Sequence, residues 1–540
     1  MPFMESESPS FQQEPRPPQP VGSPYVPLDS WVYSGIEKLS ALGYIETAFL
    51  GLKPWTRIEC ARLIEQAEDV IFYDQGDIED IAELQSRLRQ EFTYELSVLN
   101  GTRQRKVIAA LESVYVRNVS VMGPPLTDGY HFGQTMSYDF GRPFRSGMNA
   151  QLGGSFQVAA GPAAVFVRAE FQHAPSAPPL PDQIRNFIAN SDLLPLPAPS
   201  AIPSTNRLRL LDAYMAVNLR ENWQISFGKQ SLSWGPGAGG SFLWSSNVEP
   251  VPMLRMTSSA TSLPGFFSVF GPTRIDSFFG RLSGRPYIAE PYIYGNKINF
   301  KPLASLEIGF GRTVTIGGKG GTPLTPKNLL FSFFGQSSSQ LRSVPGDSHS
   351  SFDWSFEIPK LHHYVVFYGE LYADDDFLPL QNLPKNPFRP GIYVTRFPGL
   401  PKLDLHLEAA STESPGQRNP WNLNYWNAVY RDGYTSNGSL IGNTVGRMGR
   451  SIQCWWNYWF SSRNQLQFAY KHSTISSEFV PGGGAWQDYS MRHEVAFHSG
   501  LYLKSQLQFE HISHYPLLTP HAKNNLTTVV ELGWTPHHSD

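Results

Sequence analysis

The sequence predicts a mostly β protein: a transmembrane antiparallel β-barrel of about eighteen strands behind an N-terminal α-helical bundle. Three observations predict it. From about Ser113 to the end, apolar residues recur at every second position instead of every third or fourth. The connections between these alternating runs are themselves alternately short and long. Only 16% of the 540 residues are charged while 13% are aromatic, a balance that favours extensive sheet with long turns.

Residues 1–27, MPFMESESPSFQQEPRPPQPVGSPYVP, are too polar and proline-rich to bury a core and read as a disordered leader. Residues 28–110 carry helical periodicity and form the bundle, and residues 111–540 the barrel. Asp29 is placed to cap a first helix through SWVYSGIEKLSALGY, with Ile36, Leu39 and Leu42 on one side. PWTRIECARLIEQAEDV opens with a capping box, Thr56 and Glu59 each serving the other's backbone N–H. A third helix is expected through DIEDIAELQSRLRQEFTYELSVL, where Ile81, Leu84, Leu88, Phe92, Leu96 and Leu99 fall at three- and four-residue steps.

Beyond the helices, runs such as VFVRAEFQ (165–172), LDLHLEAA (403–410) and LYLKSQLQFE (501–510) put apolar residues on one face and charges on the other. A soluble sandwich alternates too, so the connections decide. Tight turns at 160–162, 220–222, 301–304, 360–363, 397–401, 461–464 and 498–500 separate long loops at 123–147, 174–207, 313–350, 412–446, 474–488 and 512–525. In a meander this places the short turns at one end and the long loops at the other, as in outer-membrane barrels. The same parity demands a descending strand at PMLRMTS (252–258) and assigns Asn424 to Arg431 to a loop. Trp223, Trp459, Phe460, Tyr502 and Trp534 gather near the short turns as an interfacial aromatic girdle.

The net charge of −3 gives no field for nucleic acid. Cys60 and Cys454 fit neither a disulfide framework nor a zinc site and read as buried, inert thiols. No run approaches the roughly 18 apolar residues of a membrane helix, and the first residues hold no secretory signal. Those two facts alone point to the cytoplasm. The barrel pattern points to the bacterial outer membrane, with a signal lying upstream or removed.

Within this frame SWGPG (233–237) with LWSSNVEPVP (243–252), INFKPLASLEIGFGRT (298–313) and YRDGYTSNGSLIGNTVGRMGRS (430–451) resemble, in order and spacing, the capsule assembly protein Wzi family. The resemblance covers most of residues 110–534. It implies an eighteen-stranded outer-membrane barrel with helices on the periplasmic side, acting without catalysis as a surface lectin for capsular or other extracellular polysaccharide. The chain departs from the pattern in showing no signal sequence and in ending ELGWTPHHSD, which makes Trp534 the expected last aromatic of the final strand. Outer-membrane lipid and polysaccharide export machinery are the other implied partners, and no cofactor, metal or catalytic residue is implied.

Sugar recognition needs flat rings and planar polar groups. The loop end offers Trp234, Trp244 and Asn247 in one segment, Arg255 just below, and Trp421, Tyr425, Trp426, Tyr430 and Tyr434 in another. The alternative is that these rings pack the loops and close the barrel mouth. Asp374-Asp375-Asp376 lacks EF-hand spacing and reads as a solvated loop rim. GGKGGTPLTPKN (317–328) is not a phosphate loop, and no phosphate-binding helix is expected after it. Glu370 and Glu408 face inward by alternation and are the carboxylates a glycosidase would need. His406, His493 and His498 have no GxSxG partner. A porin-like channel for oligosaccharides is the rival function.

Overall fold

Alternation makes each long strand two-faced, and the sheet they form closes on itself. The computed structural model describes residues 22–536 apart from 74–78, 102–106, 220–221, 336–344, 359–360, 362, 384, 414–423 and 519–520. The barrel strands are β1 (Val107–Met122), β2 (Gly147–Ala160), β3 (Ala163–Ala174), β4 (Thr205–Asn218), β5 (Trp223–Gln230) and β6 (Val251–Ser258). They continue as β7 (Pro272–Arg281), β8 (Tyr292–Leu303), β9 (Leu306–Ile316), β10 (Asp347–Glu357), β11 (Val365–Asp374) and β12 (Phe388–Val394). The last six are β13 (Leu403–Ser411), β14 (Gly449–Ser461), β15 (Asn464–Ile475), β16 (Gly484–Ala496), β17 (Leu501–His514) and β18 (Lys523–Trp534). Each pairs antiparallel with the next, and β1 pairs with both β2 and β18, which closes an eighteen-stranded barrel. Closure satisfies the backbone without water.

Leu208 and Phe227 are 75% and 64% exposed on the outer face, while inward-facing Glu170 and Gln172 are 0% exposed. That is the polarity of a barrel in lipid, inverted from a soluble sandwich. β6 is the descending strand that parity demands, paired with β5 and β7, and Asn424 to Arg431 lies outside any barrel strand. β1 starts earlier than the visible alternation because a register shift at Leu111/Ser113 interrupts its phase.

The girdle is corrected at two positions. Phe460 and Trp534 are half-exposed on the outside, and Trp223 shares its face with Ile225 and Phe227. Trp459 alternates with Phe460 and so must face inward, where it joins the helical core and donates Nε1–H to Asp404 at 2.6 Å. Tyr502, between Leu501 and Leu503, likewise faces inward, beneath the Lys504 ammonium. Cys60 and Cys454 are buried, and burial pushes the Cys60 thiol up.

The helices are α1 (Trp31–Ala41), α2 (Arg57–Tyr73), α3 (Glu79–Glu91) and α4 (Thr93–Leu99). Ser30, not Asp29, caps α1, accepting from Val32 N–H at 3.3 Å. Asp29 instead forms a bidentate pair with Arg168 on β3, at 2.7 and 2.8 Å. The capping box forms: Thr56 N–H reaches Glu59 at 3.0 Å, and Glu59 N–H reaches Thr56 Oγ1 at 3.2 Å. The single third helix expected from periodicity is two, broken at buried Phe92 (φ −109°, ψ 23°). Next to that break Arg57 donates to the Glu91 carbonyl at 2.7 Å and lies over the Phe92 ring. Two further helices, α5 (Asp182–Ser191) and α6 (Pro326–Phe333), stand in long loops where none was expected.

α1 to α4 sit at the short-turn mouth. Ser462 donates to Glu83 at 3.0 Å, Arg463 to Gln90 at 2.7 Å, and Lys402 pairs with Asp80 at 3.0 Å. Residues 22–27, assigned to the leader by composition, are packed in place. Gly22 N–H donates to the Gly161 carbonyl, and buried Tyr25 lies in the lumen between Tyr214 and the Arg255 guanidinium. Residues 1–21 lie outside the described residues.

Arg57 is 6% exposed in its side chain and meets Glu95 at 2.6 Å, Glu91 at 3.1 Å and Glu112 at 3.4 Å. Arg57→Ala strands three carboxylates and is expected to cost the helical unit about 3–5 kcal/mol. Thermal melting followed by the helical circular-dichroism signal checks this, with Glu112→Gln as the milder comparison.

Candidate functional site

After Gln230 the chain turns into the barrel instead of rising into solvent, and residues 231–250 form a plug. Two glycines permit the turn. A Cβ on Gly237 would collide with the Arg389 guanidinium, and one on Gly240, which adopts φ +81°, would collide with the Tyr138 ring.

Three lumen-facing side chains receive the plug. Arg389 on β12 bridges Glu370 on β11 at 2.8 Å and Glu408 on β13 at 3.2 Å. Glu408 accepts from Ala238 N–H at 2.6 Å, Gly239 N–H at 3.1 Å and the Tyr368 hydroxyl at 2.8 Å. Glu370 accepts from the Ser241 hydroxyl at 2.6 Å and from Phe242 N–H at 3.0 Å. Both carboxylates are therefore engaged as structural acceptors of the plug.

The candidate rings lie in the same place. Trp234 and Trp244 pair through their backbones and flank Phe278, with centroids 5.3 and 5.0 Å away. Trp234 Nε1–H donates to Asp276 at 3.0 Å, and Arg255 grips the same carboxylate at 2.7 and 2.8 Å. From the loop above, Tyr425 donates to the Phe242 carbonyl at 2.9 Å and Tyr434 to the Leu243 carbonyl at 2.8 Å. Asn247 donates to the Leu440 carbonyl at 3.0 Å, and Tyr430 to that of Gly317 at 3.2 Å.

Trp234, Asn247, Arg255, Tyr425, Tyr430 and Tyr434 are all 0% exposed, Trp244 1% and Trp426 9%. The structure thus brings these residues into one region but buries their faces, so in this conformation a sugar arriving from outside cannot stack on them. Trp421 lies outside the described residues. What the sequence did not reveal is Arg389 and its bridge between Glu370 and Glu408, because only strand pairing brings β11, β12 and β13 together.

The plug also meets the helical unit. Lys53 and Ser233 exchange backbone hydrogen bonds of 3.0 and 3.1 Å inside the lumen. Leu50 and Gly51 donate their N–H groups to Glu307 on β9 at 2.9 and 3.0 Å. The segments that enter the barrel from its two mouths therefore touch inside it.

Asp374 is a working part of this layer, not a free rim. It accepts from Tyr425 N–H at 2.6 Å and faces His349 Nδ1 at 2.5 Å. Among the described residues no group of three His, Cys, Asp or Glu is arranged to hold a metal ion. A helix begins inside GGKGGTPLTPKN, at Pro326: it is α6, capped by Thr325, whose hydroxyl accepts from Asn328 N–H at 3.1 Å.

A second lock joins the outer loops. His131 stands between Asp128 at 2.7 Å and Asp192 at 2.8 Å, and Arg447 also pairs with Asp192, at 2.5 Å. Burial disfavours the imidazolium, but the two carboxylates outweigh it and raise the His131 pKa to about 9.

A barrel of the outer-membrane type, with chain segments inserted from both ends, is the class that this fold and site define. The chain belongs to the capsule assembly protein Wzi family, whose profile matches residues 117–527. It is similar to a solved structure, Wzi of Escherichia coli, described as an outer membrane protein involved in group 1 capsule assembly and a carbohydrate binding beta-barrel. The two share 18% identity and a TM-score of 0.66 over 95% of this chain and 99% of that one, which shows a common fold. A 55.8 kDa protein in the cps region of Klebsiella pneumoniae is 27% identical over 218 residues. That match spans 39% of this chain and only 42% of the relative.

Two outcomes are expected. Arg389→Ala leaves Glu370 and Glu408 facing each other unneutralised. It should loosen the plug and raise single-channel conductance in planar bilayers at least several-fold over a nearly silent wild type. The raised pKa of His131 gives the loop layer stability on the order of 3 kcal/mol. It is fully present below about pH 6.5 and lost as pH rises through about 9. Protease cleavage of the loops should therefore accelerate from pH 7 to 10, and His131→Gln should flatten the profile.

Proposed function

We propose that the chain is a non-catalytic outer-membrane protein that holds capsular or other exported polysaccharide at the cell surface through the outer side of its long loops. The closed lumen is the observation that carries this. With the plug locked to Arg389, Glu370 and Glu408, a polymer outside the cell meets a floor of loops and not a pore. Family membership supports polysaccharide as the partner. The engagement of Glu370 and Glu408 supports holding over hydrolysis. In this reading the helices face the periplasm, where they are placed to meet export machinery, and the outward-facing strand residues meet lipid.

The buried rings named from the sequence then act as the support under the contact surface. Above them, half-buried Tyr287 stands beside the loop that carries Arg431 and Asp432, its N–H donating to Asp432 at 2.9 Å. A ring with planar charged groups next to it is suited to a sugar's C–H face and hydroxyls.

The channel reading has one observation in its favour. A cavity of about 810 Å³ between the helices and the wall and another of about 330 Å³ higher in the lumen share Asp29, Lys504 and Glu531 in their linings. The upper one ends against Tyr138 and the plug residues Ala238 and Gly239. Oligosaccharide-blockable current through the wild-type protein would favour that reading.

Tyr287→Ala combined with Arg431→Ala is expected to lower retention of surface polysaccharide about tenfold while heat-modifiable gel mobility stays that of a folded barrel. Glycan blotting of washed cells and a glycan array with detergent-solubilised protein check this. Unchanged retention in the folded double variant moves the site elsewhere.

A further inference from the structure

One patch of the outer wall breaks the alternation rule. On β8, β9 and β10 the registered row Ile298–Phe310–Phe352 faces outward and is apolar. The next outward row toward the long-loop mouth is Asn296–Arg312–Ser350, with a guanidinium where lipid is expected. A bare arginine there would be costly. Arg312 is only 4% exposed, because α6 folds down over the outside of the barrel and covers it.

The contacts are specific. Arg312 donates to the Ser332 carbonyl at 3.0 Å, to Ser348 Oγ at 2.9 Å and to the Asp376 carbonyl at 2.9 Å. Outward-facing Tyr294 donates to the Leu329 carbonyl at 2.8 Å, and Ser350 to that of Asp376 at 2.6 Å. Polar groups of the wall thus take up backbone carbonyls of the helix and of the neighbouring turn.

The far side of this cover is apolar. Leu330 is 58% exposed, Phe334 47% and Phe377 37%, and Phe333, Phe334 and Phe377 form one ring cluster with centroids 5.1 to 6.3 Å apart. An apolar surface bonded to the wall immediately above a lipid-facing row is continuous with it.

We propose that α6 lies in the outer leaflet of the membrane. Its Leu330 and Phe334 face contacts lipid acyl chains, so over β8–β10 the helix is the hydrocarbon-facing surface in place of the strands. This rests on the barrel's spanning the membrane, and the test separates the two. Nitroxide labels are placed at Leu330→Cys and Phe334→Cys, at Leu254→Cys on the outer wall and at Ser200→Cys on an exposed loop. The protein is reconstituted in phospholipid vesicles, with label-treated wild type as the background. Collision with oxygen, which concentrates in lipid, is expected to exceed collision with a water-soluble nickel chelate several-fold at 330, 334 and 254, and the order to reverse at 200. Nickel access at 330 and 334 like that at 200, with 254 lipid-like, overturns the helix proposal alone. Shielding of 330 and 334 from both reagents, as under a protein partner, overturns it too. Nickel access at 254 overturns the membrane-spanning reading with it. Unaltered heat-modifiable mobility certifies each variant as folded.

Discussion

A closed sheet with an apolar exterior drives most charged side chains of its strands into the lumen, where burial demands a partner. Arg255 meets Asp276, Lys297 meets Asp353 and Arg389 meets two glutamates, all at 0–3% side-chain exposure. Such pairs contribute little net stability, because desolvation offsets most of the attraction. Breaking one is costly, so they act as addresses. The N-terminal segment reads three of them: Asp29 goes to Arg168 on β3, Glu59 to Arg274 on β7 and Lys38 to Asp404 on β13. Contacts on three separated strands fix how the helices sit in the mouth.

The same constraint explains why the plug is rich in glycine. A carboxylate in the lumen that lacks a full ionic partner needs N–H donors, and backbone supplies them only if it comes close. Glu408 and Glu307 are each served by two consecutive backbone N–H groups, at 238–239 and 50–51, and Glu370 by the Phe242 N–H and the Ser241 hydroxyl. At two of those points, Gly239 and Gly51, a Cβ would come within 2.7 Å of a lumen carboxylate oxygen and hold the backbone away. The Lys53–Ser233 bridge then ties the lower closure to the upper one, so displacement of either segment disturbs the other.

Much of the fold was legible because period-2 alternation and turn parity are local in the chain. Parity alone placed β6, although PMLRMTS is unremarkable in composition. Errors arose where a partner distant in sequence competed with a local rule. Asp29 is a good cap residue, yet Arg168 outbids the helix for its carboxylate and Ser30 takes the cap. Trp459 and Tyr502 have girdle composition, but their phase on the strand turns them inward. Phe92 fits the helical stripe, and nothing local announces that its burial beside Arg57 accompanies a break. The candidate site was legible as a set of residues that meet. Its burial was not, because composition cannot distinguish a loop that folds into a barrel from one that folds above it.

Magnitudes then decide what the closed mouth does at rest. Four plug donors, at Ala238, Gly239, Ser241 and Phe242, bond to two carboxylates that Arg389 bridges. Hydrogen bonds to charged groups contribute about 1.5–3 kcal/mol each, so releasing the four together costs on the order of 10 kcal/mol. At about 1.4 kcal/mol per decade the open fraction is on the order of one in ten million. On that scale thermal fluctuation alone rarely releases the plug. A transport role would need a ligand or partner that binds the open form more tightly by a similar amount. A surface-binding role needs none, because the loops that close the lumen already present a fixed floor. A firmly held plug is what the proposed holding of a polymer outside requires.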